Sequence, residues 1–240
     1  MSKLERRTLE GVGRVYFSSE HDTILPSVST VLDEMETPIA LKKWKENNPD
    51  WREIMNRKGS RGTLIHYHCL NEFAEDDMHG KNEEDSEEHL KRIGRWQWYK
   101  DAMYWAEDAW EAVKHKQNIN EDTVLNVECF VENTDIGYAG QFDLLYVDPD
   151  NNEVVMGDIK TSSGVHDKHK MQLSAYKNAV NLGIDRCEVI RMHPDSKTYE
   201  ISSSHDWEKS TDELFEQFAD LREGMDLDME KIANEGKNDG

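Results

Sequence analysis

The chain has 240 residues, 36% of them hydrophobic, and carries 50 acidic against 29 basic side chains, a net charge of −21. That length is ample for one large domain with its own core, and the charge argues against indiscriminate binding of nucleic acid or anionic membrane through bulk electrostatics. No apolar run approaches a membrane span and no signal-peptide core opens the chain; Cys69, Cys129 and Cys187 form no CxxC pair or disulfide framework, which points to a reducing, cytoplasmic compartment.

In chain order, residues 12–17 read as a short strand. Residues 26–32 (PSVSTVL) start a helix with Ser27 as its cap. A second helix opens with Thr37 as cap and Pro38 at the first helical position, and ends near Asn47-Asn48-Pro49. Asp50 caps a short helix through Arg57. A further helix, from about Ser60 to Phe73, places Gly62, His66, Cys69 and Phe73 on one stripe, with His68 pointing elsewhere. On such a face His66 reads either as a satisfied core histidine or as a metal ligand. Only acids elsewhere in the chain raise the second reading.

Residues 74–89 hold eight acids and one lysine. Residues 75–88 read as an exposed acidic loop, in which Asp85 and Glu88 fit a capping box for a long helix running to about Lys116. On that helix Trp96, Tyr99, Met103, Ala106, Trp110 and Val113 form one apolar stripe and Trp98, Ala102, Trp105 and Ala109 a second. Core packing is the plain reading, with base stacking on one exposed Trp beside it. Residues 123–132 alternate as a strand with Glu128 in the middle, either facing solvent or serving as a third acid beside a metal.

The centre of the chain is a predicted hairpin. Residues 141–148 and 154–160 flank the turn-rich run Asp148-Pro149-Asp150-Asn151-Asn152. A four-residue loop over 149–152 pairs 148 with 153 and, counting outward, 143 with 158. Asp143 then faces Asp158 across the hairpin, with Cβ atoms about 5 Å apart. Side chains alternate along a strand, so Asp158 and Lys160 share a face. Two carboxylates so close repel unless something positive lies between them; a divalent cation is the usual answer, and Lys160 completes the cluster. Asp167 then caps a helix through Val180 that carries Gln172 and Tyr176 four apart on one face. Strands at 187–192 and 198–202 turn at His193-Pro194-Asp195. A helix over 208–222 closes the domain, and residues 225–240 read as an acidic, frayed tail.

The order of these residues resembles the RecB-like branch of the PD-(D/E)XK nucleases: His66 on a helix, Glu128, Gly137-x-x-Gly-x-x-Asp143, Gly157-Asp158-Ile159-Lys160-Thr161-Ser162, then Gln172-x-x-x-Tyr176. PSVSTVL, ALKKW and RGTLIH extend the likeness towards the mitochondrial genome maintenance exonuclease group and its phage and bacterial relatives. The resemblance implies an α/β (α+β) fold in one domain over 1–224. Its central mixed sheet carries the active-site hairpin between flanking helices, with a helical N-terminal part over 1–120 and a restriction-endonuclease-like catalytic core at about 60–66 and 121–205. It also implies that His66, Asp143, Asp158 and the Ile159 carbonyl ligate a metal, with Glu128 at or near it. Lys160 positions or activates the attacking water, and Gln172 and Tyr176 brace the site and contact DNA. Four-cysteine iron–sulfur ligation, found in some relatives, has no counterpart among three scattered cysteines, so no such cluster is expected.

Hard oxygen ligands suit Mg²⁺, and a histidine ligand makes Mn²⁺ competent. Lys58, Arg61, Lys168, His169, Lys170 and Lys177 are candidate phosphate contacts on an otherwise acidic chain. The expected function is a metal-dependent DNA exonuclease with a preference for single-stranded ends, in replication, recombination or repair, alongside partner proteins of those processes, and phage-encoded in one reading. An endonuclease of the same superfamily and a non-catalytic DNA-binding or assembly module are the alternatives.

Overall fold

The structure, a computed structural model, describes residues 4–9 and 11–225. It is a mixed α+β fold with two sheets. Strands β1 (Leu4–Leu9), β2 (Gly13–Ser18) and β3 (Thr23–Pro26) form a three-stranded antiparallel sheet. Short helix α1 (Val28–Leu32) follows, and Ser27 caps it as expected by accepting the Thr30 N–H at 3.0 Å. The predicted strand at 12–17 is therefore present, but the N-terminal part is not all helical. Of its two neighbouring strands, β1 carries one β-branched residue and β3 spans only four residues ending in a proline, so they left little signal in the sequence.

Next come α2 (Ile39–Asn47) and α3 (Trp51–Leu70). Pro38, not Thr37, occupies the N-cap of α2, and Asp50 precedes α3 without a side-chain cap bond. The break expected near Gly59 does not occur. A mid-helix glycine costs about 1 kcal/mol, and the packing of α3 outweighs that. The acidic stretch, expected as a loop, folds largely into α4 (Lys81–Arg92). Glu83 caps it by accepting the Gly80 N–H at 3.0 Å, the Glu87–Lys91 pair spans 2.6 Å on its surface, and Leu90 is buried beneath it. Asp85 and Glu88 thus lie inside a helix rather than capping one. Gly94, at φ +66°, separates α4 from α5 (Trp96–Gln117). Both apolar stripes of α5 pack into the core. Tyr99, Met103, Ala106, Trp110 and Val113 are buried, and Trp98 and Trp105 pack against the same cluster.

The main sheet runs β4 (Val124–Asn133), β5 (Tyr138–Asp148), β6 (Glu153–Lys160), β7 (Arg186–His193) and β8 (Thr198–Ser203) in spatial sequence. Neighbours are antiparallel except β6 and β7, which run parallel with α6 (Asp167–Ala179) as the crossover. Helix α7 (Thr211–Glu223) closes the layer, started by a Ser210–Glu213 capping box. Asp167, expected to cap α6, is its first residue, and His166 holds the N-cap position. Alternation along the strands divides the core. Leu144, Tyr146, Val155 and Ile159 face α3 and α5, while Leu145, Met156, Cys187 and Val189 face α1, α6 and α7. The expected tail at 225–240 lies outside the described residues from 226 onward. Among the described residues, no helix is long and apolar enough to cross a membrane.

Candidate metal centre

The hairpin register is the expected one. Asp148 pairs with Glu153, and the ladder continues to Leu144 opposite Gly157. One step further, the N–H of Ile159 is taken by the Asp143 side chain, whose Oδ2 accepts it at 2.7 Å. A side chain replaces a ladder partner there, and the pairing ends where the acids begin. Asp143 is 8% exposed and Asp158 fully buried. Burial raises the pKa of both carboxyls, that of Asp158 to about 6.

Lys160 shares the face of Asp158, and its Nζ lies 2.6 Å from Oδ2. Burial works against the ammonium charge. Asp158 and Asp143 outweigh it and hold the pKa above the ordinary lysine value. Neither oxygen of Asp158 accepts a well-directed hydrogen bond among the described residues. Oδ1 of Asp158, buried without a hydrogen-bond partner beside a second acid, is the feature a bound cation would satisfy.

From α3, His66 Nδ1 comes within 3.4 Å of Asp143 Oδ2. Burial, then the Lys160 charge, lowers its pKa to about 4, so the imidazole is neutral and able to ligate at neutral pH. From β4 comes Glu128, at φ +50° in mid-strand. A glutamate there is uncommon and strained. Gln141 supports the conformation by donating Nε2–H to the Glu128 carbonyl at 2.9 Å. Burial first and Asp143 second push the Glu128 carboxyl to about 8. Ligand atoms of His66, Glu128 and Asp143 all lie within 4.8 Å of one another. The strand acid thus falls on the side of the cluster rather than of solvent. Asp158 stands outside that three-residue group, with its carboxylate turned to Lys160.

Helix α6 closes the back of the site. Gln172 donates Nε2–H to the Tyr176 hydroxyl at 2.9 Å, and Tyr176 is buried. The Tyr176 ring occupies space that only a glycine at 140 leaves open. A Cβ on Gly140 would sit 2.4 Å from Cε1. Gly62 makes a similar but looser concession on α3, where a Cβ would meet the Thr161 hydroxyl at 3.1 Å.

The expected basic contacts fare differently. Arg61 is buried, forks onto Asp195 at 2.6 and 3.2 Å, and lies 4.0 Å over the Trp98 ring. It braces α3 against the β7–β8 turn and is not available to phosphate. Lys168 pairs with Asp33 at 2.5 Å, and Lys170 leans towards Asp167 and the Trp207 ring. Neither lines the cavity of about 1210 Å³ above the acids. The cations that do line it besides Lys160 are Lys58, Lys81, Arg6 and Arg14. The two arginines sit on β1 and β2. No sequence feature marks them, because only the pairing of β1 with β2 brings them together.

The chain matches no protein-family model and no curated protein. A solved structure described as the crystal structure of SSO0001 aligns with 69% of this chain and 86% of its own, at 16% identity and a TM-score of 0.33. A likeness that slight carries no argument.

Proposed function

We propose that the protein is a metal-dependent DNA exonuclease acting at DNA ends. The observation that carries this reading is one cluster. His66, Glu128 and Asp143 offer ligand atoms within 4.8 Å of one another, beside a lysine ammonium held 2.6 Å from a buried aspartate. Two carboxylates and a neutral imidazole form a donor set for Mg²⁺ or Mn²⁺, and Asp158 and the Ile159 carbonyl are the further donors nearest to hand. A divalent cation held there supplies neutralisation of the charge that builds on a phosphoryl oxygen.

The chain's own residues do the rest. Lys160, its side chain 19% exposed at the cavity, presents N–H donors to the attacking water or to a phosphoryl oxygen. In hydrolysis the water oxygen forms the new bond to phosphorus. The bond to the departing sugar oxygen breaks, and the proton the water gives up passes through solvent to that oxygen. Asp158 fixes the ammonium, and Tyr176 with Gln172 fixes the strand that carries Asp143. The opening of about 1210 Å³ suits an extended polyanion better than a small metabolite.

The test is incubation of purified protein with end-labelled single- and double-stranded DNA and with closed circular DNA, in Mg²⁺, Mn²⁺ or EDTA. Metal-dependent shortening of linear DNA supports the reading, with faster loss of single-stranded ends. Cleavage of closed circles would make it an endonuclease. Binding without cleavage in either metal would reduce it to a DNA-binding module.

A further inference from the structure

The cavity over the acids has a wall that the proposed chemistry does not use. Arg6 on β1 pairs across to Tyr16 on β2, and Arg14 pairs to Thr8. Cross-strand partners and residues two apart share a face, so Arg6, Arg14 and Tyr16 all point one way. That face is turned to the main sheet. Tyr16 is 1% exposed, and its ring meets Phe130 edge-on at 5.7 Å, two residues along β4 from Glu128. Arg6, Arg14 and Tyr16 line the same cavity as His66, Glu128, Asp143 and Lys160.

Both arginines are exposed. Among the described residues neither has a carboxylate within ion-pair distance, although the chain carries 50 acids for 29 bases. Arg61 and Arg186, by contrast, are each locked into carboxylates. The pair is also mutually repulsive. The Arg14 charge repels that of Arg6, while Tyr16, Glu128 and Glu83 pull on it. Two neighbouring cations are thus held towards a cavity with acids at its floor, and among the described residues no carboxylate forms a direct ion pair with either. A ligand with several phosphates would pair with both, and the planar guanidinium matches phosphate geometry through two parallel N–H bonds.

We propose that Arg6 and Arg14 grip the backbone of the substrate strand, at phosphates beside the one presented to His66, Glu128 and Asp143. The inference rests on the nuclease reading and deepens it. It makes the N-terminal sheet part of the substrate site and moves the phosphate contacts away from Lys168 and Lys170.

The experiment uses the full chain and a fluorescent single-stranded oligonucleotide. Binding is measured in EDTA from 50 to 200 mM salt, and cleavage of the same oligonucleotide is measured in Mg²⁺. Arg6→Gln/Arg14→Gln is expected to weaken binding about tenfold at low salt. The slope of log affinity against log salt should fall by about 1.4, since each single-strand phosphate contact contributes about 0.7. The cleavage change should appear mainly in KM. Arg6→Lys/Arg14→Lys, which keeps the charges, should keep the slope, and this separates lost contacts from lost fold. Lys168→Gln/Lys170→Gln should leave the slope as it was. If the wild type binds and cleaves and the glutamine variant keeps its affinity and slope, the arginines are merely solvated and this inference falls while the nuclease reading stands. A wild type that neither binds nor cleaves overturns both.

Discussion

Lys160 Nζ and Asp158 Oδ2 are 2.6 Å apart, and the aspartate has no exposure to solvent. The two residues are separated by one position on β6, so the strand's alternation makes the contact without any help from a loop. Removing one member of a buried ion pair leaves an uncompensated charge, which costs about 3–5 kcal/mol. Lys160→Ala should therefore abolish cleavage and also lower the melting temperature. The stability loss should be large at pH 8 and small at pH 5, because the Asp158 carboxyl, already raised to about 6, takes up a proton once its partner is gone. Asp158→Asn/Lys160→Met should recover stability without activity. Thermal melts at both pH values, paired with a cleavage assay, check this. Equal melting temperatures for wild type and Lys160→Ala at pH 8 would refute it.

The acid cluster gives the metal-free protein a distinctive pH dependence. Glu128 and Asp158 have folded pKa values raised to about 8 and about 6. Their stabilising contribution is complete below the unfolded carboxylate range and is lost as pH climbs through those values. His66 acts in the opposite sense. Its folded pKa is lowered from 6.5 to about 4, so its contribution is complete above 6.5 and lost as pH falls towards 4. From pH 6.5 to 8.5 Glu128 dominates, and the melting temperature in EDTA should fall. Glu128→Gln should flatten that decline, and so should Mg²⁺ or Mn²⁺ with the wild type. A slope that survives Glu128→Gln would place the titrating group elsewhere.

Much of the site was legible because it lies on regular structure. The loop over 149–152 fixed the hairpin register, and the register in turn brought Asp143 towards Asp158. Helical spacing put His66 inward and His68 outward, and four-residue spacing joined Gln172 to Tyr176. The basic residues were not legible in this way. Arg61 resembles a phosphate contact by composition, yet its partner Asp195 is 134 positions away. Arg6 and Arg14 become site residues only through the pairing of β1 with β2 and the packing of Tyr16 on Phe130. Long-range pairing of this kind leaves no periodic trace. The acidic helix α4 was missed for a different reason: charge density masked a capping pair and a short apolar face.

The place of Arg61 yields a prediction that separates structure from recognition. Its fork onto Asp195, with help from Lys58, holds the Asp195 carboxyl at about 2. A depressed carboxyl contributes stability above its unfolded pKa and loses it as pH falls through the folded value. Arg61→Ala should cost about 1–2 kcal/mol at pH 7, mainly through the lost stacking on Trp98, since the exposed Asp195 left behind is solvated. The difference from wild type should shrink as pH falls towards 2. The salt slope for DNA binding should stay that of the wild type, since the guanidinium has no path to phosphate. A slope reduced by about 0.7, as for one lost single-strand phosphate contact, would return Arg61 to the role its sequence context suggested.

Gly140 tests how closely α6 is fitted to the hairpin. A methyl group there would approach Tyr176 Cε1 to 2.4 Å, and Tyr176 is buried. Overpacking of this kind costs about 1–3 kcal/mol. Gly140→Ala should therefore lower the melting temperature and displace the ring, breaking the 2.9 Å bond from Gln172. Because Gly140 lies three residues before Asp143 on β5, the same displacement should reduce cleavage beyond what the stability loss explains. Tyr176→Leu in the Gly140→Ala background should recover stability by vacating the space. Activity should remain low, since the hydroxyl that Gln172 engages is gone. Full activity in Gly140→Ala would show that the brace does not reach the acids. Recovery of activity in the double variant would show that Tyr176 acts by volume alone.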